Sequence, residues 1–267
     1  MIKKITKLCL AGTLAIGSIG TAIAEDQVEA VETGPFATEN FSATLTMTSN
    51  YMYRGMSFTN DKPALQGSFD WSYSNFFAGA WSSSLADQDS DGYELETDFY
   101  AGYANSYAGV DWFVMPIYYK FSSFDPKNTG GADADVFELW LDAAYAINDT
   151  VSVHGMYAYS PDFFFESGNS HYIKGDVTVQ LPQGFSLNAG LGYQDVEGDN
   201  ANWLNGQGWD YTHWDVTLAK SVAGFDLSLM YSDTSADKAT DSLNANFWGG
   251  ATDNTDDTVT FTVSRSF

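Results

Sequence analysis

The sequence predicts an all-β fold, a transmembrane antiparallel up-and-down β-barrel of about twelve strands, and three observations carry that prediction. Apolar and polar residues alternate with a period of two in segment after segment, up to the closing Val259-Thr-Phe261-Thr-Val263-Ser-Arg265-Ser-Phe267. The links between these segments are alternately short and long. Beyond residue 24 no uninterrupted apolar stretch reaches the ~20 residues a spanning helix needs, although 44% of the chain is hydrophobic and 16% aromatic. Successive strand residues point to opposite faces, so a period of two gives each strand one face for hydrocarbon and one for water.

The elements follow in order. Lys3, Lys4 and Lys7, the apolar residues 8–19 and Ala22-Ile23-Ala24 have the basic, hydrophobic and small-x-small parts of a secretory signal peptide, cleaved after Ala24. The apolar run is too short for a membrane helix. Cys9, the sole cysteine, falls inside this leader, so the mature chain is expected to hold no disulfide, cysteine-zinc site or cysteine nucleophile. Residues 25–40 show no period and read as a flexible periplasmic lead-in, and 41–267 as the barrel. The first strand is expected over 41–54, with Phe41, Ala43, Leu45 and Met47 on one face and hydroxyls on the other. Further strands are expected over 64–73, 76–85, 93–103, 110–121, 135–145, 151–159, 172–181, 185–194, 211–220, 225–231 and 259–267. Pro116 lies within one of them and cannot donate a ladder hydrogen bond, so a bulge is expected there.

The short links, 74–75, 104–109, 146–150, 182–184 and 221–224, carry the Asn, Asp, Gly and Pro of tight turns. Longer links occupy 55–63, 86–92, 122–134, 160–171, 195–210 and 232–258. Outer-membrane barrels keep short turns in the periplasm and long loops outside, which puts both chain termini in the periplasm. A secreted β-sandwich would also alternate. The loop pattern, the terminal Phe267 and the lack of Val, Ile and Leu runs favour the barrel in the bacterial outer membrane, with outer-membrane lipid and lipopolysaccharide as its surroundings.

Charge narrows the function. Without the three leader lysines, eight basic residues stand against thirty-five acidic ones, a net charge of −27. Nucleic acid is thereby excluded as a natural partner. If the apolar parity faces lipid, the lumen receives Arg54, Asp70, Glu94, Glu96, Asp98, Glu138, Asp142, His154, Lys174, Asp176 and Asp226. Like charges as close as Glu94, Glu96 and Asp98 are tolerated only with water, cations or opposing basic groups nearby, and Arg54 and Lys174 are the candidate partners across the pore. One reading is a water-filled constriction passing small polar or cationic solutes by diffusion; the other is a sealed polar interior held by ion pairs, with acidic loops free to bind at the surface. Inward-facing Trp140 and Met156 would favour the second.

Asp87-x-Asp89-x-Asp91-Gly92 resembles the start of an EF-hand and offers a calcium site in an outer loop, with Asp98 at the twelfth position. Asp98 cannot serve both that loop and the lumen, and a solvated acidic turn explains the run as well. No other cofactor is expected. Walker, dinucleotide and HExxH motifs are absent, as is the His-x-Ser-Asn-Gly pattern of a barrel phospholipase, so no enzyme is expected.

Ser49-Asn-Tyr51-Met-Tyr53-Arg54-Gly55-Met-Ser57, Pro63-Ala-Leu-Gln66-Gly67, the Asp70-Trp71 strand, Phe77-Ala-Gly-Ala-Trp81 and the acidic strand 94–103 together resemble the TorF family of porins. That resemblance implies an outer-membrane barrel with a passive transport role and supplies no substrate.

Overall fold

The computed structural model describes residues 34–85, 94–122, 132–198, 208–236 and 252–267. Alternation becomes strand along the chain: β1 (Phe41–Thr48), β2 (Met52–Tyr53), β3 (Met56–Ser57), β4 (Ala64–Tyr73), β5 (Phe76–Ser84), β6 (Leu95–Tyr107) and β7 (Val110–Ser122). They are followed by β8 (Val136–Ala146), β9 (Val151–Ser160), β10 (Ser170–Gln180), β11 (Phe185–Val196), β12 (Trp209–Val222), β13 (Phe225–Thr234) and β14 (Thr258–Ser266). Twelve of these, β1 and β4 to β14, form one closed antiparallel barrel, and β2 and β3 pair separately. Closure runs through β1, which pairs with β14 from Thr44↔Ser266 to Thr48↔Thr262 and with β4 from Phe41↔Trp71 to Thr48↔Ala64. A closed ring leaves no edge strand to be covered.

The outer face is apolar where lipid would lie. Leu45, Met47, Phe69, Phe99, Leu141, Ile173, Leu191, Leu229 and Phe261 are all exposed, Met47 and Leu191 to 64% and 63%. Outward charges sit at strand ends, where Lys220 lies 4.4 Å over the Phe185 ring and Arg265 5.0 Å over Phe225. Lys120 pairs with Asp135 at 2.5 Å near the opposite rim. This is the banded surface of a protein that spans a bilayer with strands. Turn chemistry fixes the registers. Ala108-Gly109 and Ala223-Gly224 both take positive φ, the geometry whose twist matches paired strands.

Two expectations are corrected. The first strand stops at Thr48 instead of running to Arg54, because the chain turns into the barrel at Ser49 and Asn50 and residues 50–59 lie buried inside it. No bulge forms at Pro116. Tyr100↔Ile117 and Tyr103↔Val114 keep a single register, so no residue is inserted, and the β6–β7 pairing simply lapses between them while Pro116 stays paired with Leu139 on β8. Within the expected lead-in, residues 34–40 are tied down: the Trp71 indole donates to the Pro35 carbonyl (2.6 Å) and the Asn40 amide to Gly34 (2.7 Å). Residues 25–33 and the leader lie outside the described residues.

Candidate functional site in the lumen

The inserted segment is a small hairpin built from its own polar groups. Tyr53 and Met56 pair, leaving Arg54-Gly55 as a two-residue turn with φ of 49° and 84°. Asn50 staples its base: the Asn50 Oδ1 accepts from Ser57 (2.6 Å) and Thr59 (3.0 Å), and its amide donates to Asp61 (2.5 Å). The Thr59 hydroxyl in turn accepts from the Tyr51 backbone N–H (2.9 Å). Such a self-satisfied loop can enter an interior without orphaned backbone groups.

The hairpin meets a second aromatic insertion. Tyr53 and Phe58 lie edge-on to Phe164, with ring centroids 6.0 and 6.1 Å away, and Tyr51 lies edge-on to Trp81 at 5.5 Å. β7 supplies a wholly apolar inner face, Phe113, Met115, Ile117, Tyr119 and Phe121, all buried. Trp140 and Met156 also point inward and are 3% and 4% exposed. The opposite wall is hydroxyl-rich, with Thr46, Thr48, Gln66, Ser232, Thr234, Thr260 and Ser264 buried. The long-loop half of the lumen is therefore a packed core and not a water-filled space.

Arg54 sits at the centre of this core with 1% exposure. Its two terminal nitrogens diverge, one donating to Glu138 Oε2 (2.7 Å) and the other to Gln194 Oε1 (2.6 Å). Its guanidinium lies 4.0 Å from the Tyr172 ring centroid and 4.8 Å from that of Tyr53. Tyr119 (3.0 Å) and Trp140 (2.8 Å) also donate to Glu138 Oε2, and Gln194 is oriented by donating to Ser170 (2.6 Å). The Glu138 carboxylate offsets part of the cost of burying the guanidinium charge.

A second charged layer lies toward the short-turn end. His154 bridges Asp142 (2.6 Å) and Asp176 (2.9 Å), and Lys174 bridges Asp176 (3.2 Å) and Asp215 (3.0 Å). Gly190 makes room for it, since a Cβ there would stand 2.4 Å from Asp215 Oδ2 and 2.5 Å from Asp176 Oδ1. Asp70, on β4, accepts from Ser68 (2.7 Å) and from Tyr100.

The expected lumen residues thus separate. Asp70, Glu138, Asp142, His154, Lys174 and Asp176 meet in these networks, and Asp226 accepts from Ser221. Glu96 and Asp98 are buried on the inner face of β6; Tyr51 donates to Glu96 (3.3 Å), while Glu96 Oε2 and Asp98 Oδ1 have no hydrogen-bond partner. Glu94 lies just ahead of β6 and is exposed. The pairing of the acidic strand with Arg54 and Lys174 is corrected, because those cations are held by Glu138 and by Asp176 with Asp215. Asp87, Asp89 and Asp91 lie outside the described residues, and Asp98 belongs to the lumen wall. Among the described residues no group of three acids, histidines or cysteines could hold a metal ion. Sequence reasoning missed Tyr172, Gln194 and Asp215. The alternation of β12 and the pair Gly190-x-Gly192 were the available signals.

A closed twelve-stranded barrel with an apolar belt and a charged, partly plugged lumen defines a porin-type β-barrel. A family model described as "Bacterial protein of unknown function (Gcw_chp)" matches residues 30–267, and the chain belongs to that family. Among solved structures the fold is shared with the KdgM porin, at a TM-score of 0.52 and 8% identity over 85% of this chain and 98% of that one. It is shared equally with the NanC porin (TM-score 0.51, 11% identity, 84% and 97% covered). A KdgM porin in complex with disordered oligogalacturonate matches at a TM-score of 0.51 and 9% identity, with 85% and 97% covered. No curated protein sequence matches the chain. The TorF resemblance rests on sequence elements alone, of which Tyr53-Arg54-Gly55 is the hairpin tip and Pro63 to Gly67 leads into β4.

Proposed function

We propose that the protein is an outer-membrane channel for passive diffusion of small polar or cationic solutes, closed in this conformation by its own residues 50–59. The observation that carries the reading is the position of Arg54, a cation carried on a separate hairpin and held by wall residues at the centre of a barrel otherwise built like a porin. Withdrawal of the hairpin would empty the centre of the long-loop half and leave Glu96, Asp98 and Glu138 facing the space it vacates. Passage then depends on pore width and on fixed charge, as in other channels. Oligogalacturonate, held by one KdgM structure, is a polyanion, and a lumen lined by these acids is suited to solutes of the opposite sign. The short turns and both termini are assigned to the periplasm, with lipid and lipopolysaccharide around the belt.

The inward Trp140 and Met156 support a second reading, a permanently closed barrel that works through its acidic loops. Single-channel recording across a salt gradient separates the two. A channel gives intermittent cation-selective openings, and replacing residues 50–62 by a short turn makes them long-lived. A correctly folded barrel that stays silent in both forms refutes the channel.

A further inference from the structure

Arg54 occupies a site with the composition of a ligand pocket. A carboxylate, an amide oxygen and two aromatic faces converge on one planar cation, and Glu138 and Gln194 take its two diverging nitrogens separately. A guanidinium satisfies that fork, whereas an ammonium is a point charge that cannot reach both acceptors with the same planarity or stack on the rings. Three buried acids, Glu96, Asp98 and Glu138, surround the chamber. Apart from the histidines His154 and His213, Arg54 and Lys174 are the inward-facing basic side chains among the described residues, and Lys174 is engaged by Asp176 and Asp215 in the other layer. Glu138 Oε1, Glu96 Oε2 and Asp98 Oδ1 remain without partners even with Arg54 in place. The chamber therefore holds more buried carboxyl groups than its own cation engages, and removing Arg54 would leave Glu138 buried without its counter-charge.

We propose that the Arg54 pocket is the binding site of the transported solute, that the solute carries a guanidinium group, and that Arg54 is a tethered stand-in which the solute displaces. This deepens the channel reading and rests on it for the word transported; the site itself does not. In the resting barrel the hairpin fills the pocket at high effective concentration and leaves it only intermittently, and a free solute prolongs the open state by competing for Glu138, Gln194 and Tyr172. Guanidinium solutes therefore lengthen the spontaneous openings, and ions without a guanidinium do not.

The test is chemical replacement of the side chain. Arg54→Gly removes the guanidinium and keeps the turn, because Arg54 already has φ 49° and glycine takes that conformation freely. In detergent, n-propylguanidinium should raise the melting temperature of this variant saturably and change the tryptophan emission through Trp140. Propylammonium should bind at least tenfold more weakly, and adding Glu138→Gln should abolish the response. Absence of saturable binding, or equal binding of propylammonium, overturns the proposal. Should Arg54→Gly fail to fold, hydrogen exchange on the unmodified protein decides: arginine amide must accelerate exchange at residues 50–59 where propylammonium does not, and no acceleration overturns the proposal. Guanidinium binding in a barrel that never conducts would instead refute the channel and leave the pocket standing.

Discussion

Replacing Glu138 by Gln tests how the hairpin is held. The carboxylate lies 2.7 Å from Arg54, with side-chain exposures of 1% and 0% for the pair. At that distance the gross attraction is ~6 kcal/mol for an effective dielectric constant of about 20, and part of it is offset by the desolvation of both ions. Losing one partner leaves the other charge buried and unpaired, a cost of roughly 3–5 kcal/mol. Glu138→Gln also weakens the acceptor for Tyr119 and Trp140, which places it toward the upper end. Arg54→Gly should cost a similar amount by stranding Glu138. The double variant strands neither ion, so its loss should fall short of the sum of the two by about 2–3 kcal/mol, the size of coupling expected for groups in direct contact. Equilibrium unfolding in urea, followed by tryptophan fluorescence on protein refolded into vesicles, measures all four species. Single losses below about 0.5 kcal/mol, or strict additivity, would refute the claim that Arg54 and Glu138 form a dry ion pair.

Three further outcomes are expected. Leu191→Arg places a charge on the middle of the outer face, where Leu191 is 63% exposed, and should destabilise the barrel in vesicles by about 2–4 kcal/mol; an unchanged unfolding midpoint would contradict the lipid-facing assignment. Gly190→Ala drives a methyl group into the carboxylates of Asp176 and Asp215 and should cost about 1–3 kcal/mol. Gly175→Ala meets nothing within 4 Å and should stay within about 1 kcal/mol of the parent; similar effects of the two would sink the account of the lower charged layer. Replacing residues 50–62 by a short turn should lengthen channel openings, read by single-channel recording, and unchanged dwell times would show that the hairpin is no barrier.

The barrel was legible because its signal is local. Inside-outside parity is a property of each strand, and Leu45, Met47, Val259, Phe261 and Phe267 declare it without reference to neighbours; these side chains do face outward. The turns were legible for the same reason, since Ala108-Gly109 and Ala223-Gly224 carry their geometry in two residues. The interior was harder. On β7 both faces are apolar, so parity cannot tell which of Phe113 and Val114 meets lipid, and the assumption that the inward face is polar fails there. Residues 49–54 continue the alternation of β1, yet Tyr51 and Tyr53 are buried by rings from distant segments, including Trp81 and Phe164, which no local pattern announces. Arg54 was recognised as a lumen residue, but its partners Glu138 and Gln194 lie 84 and 140 positions away and become adjacent only when the ring closes.

The central claim, that residues 50–59 close the lumen reversibly, is tested most directly by cutting the tie that holds them. Glu138→Gln removes the carboxylate 2.7 Å from Arg54. Recorded in a planar bilayer beside the parent, this variant should show a higher open probability, because the hairpin leaves its seat more readily. Equal open probability in the two would contradict the account.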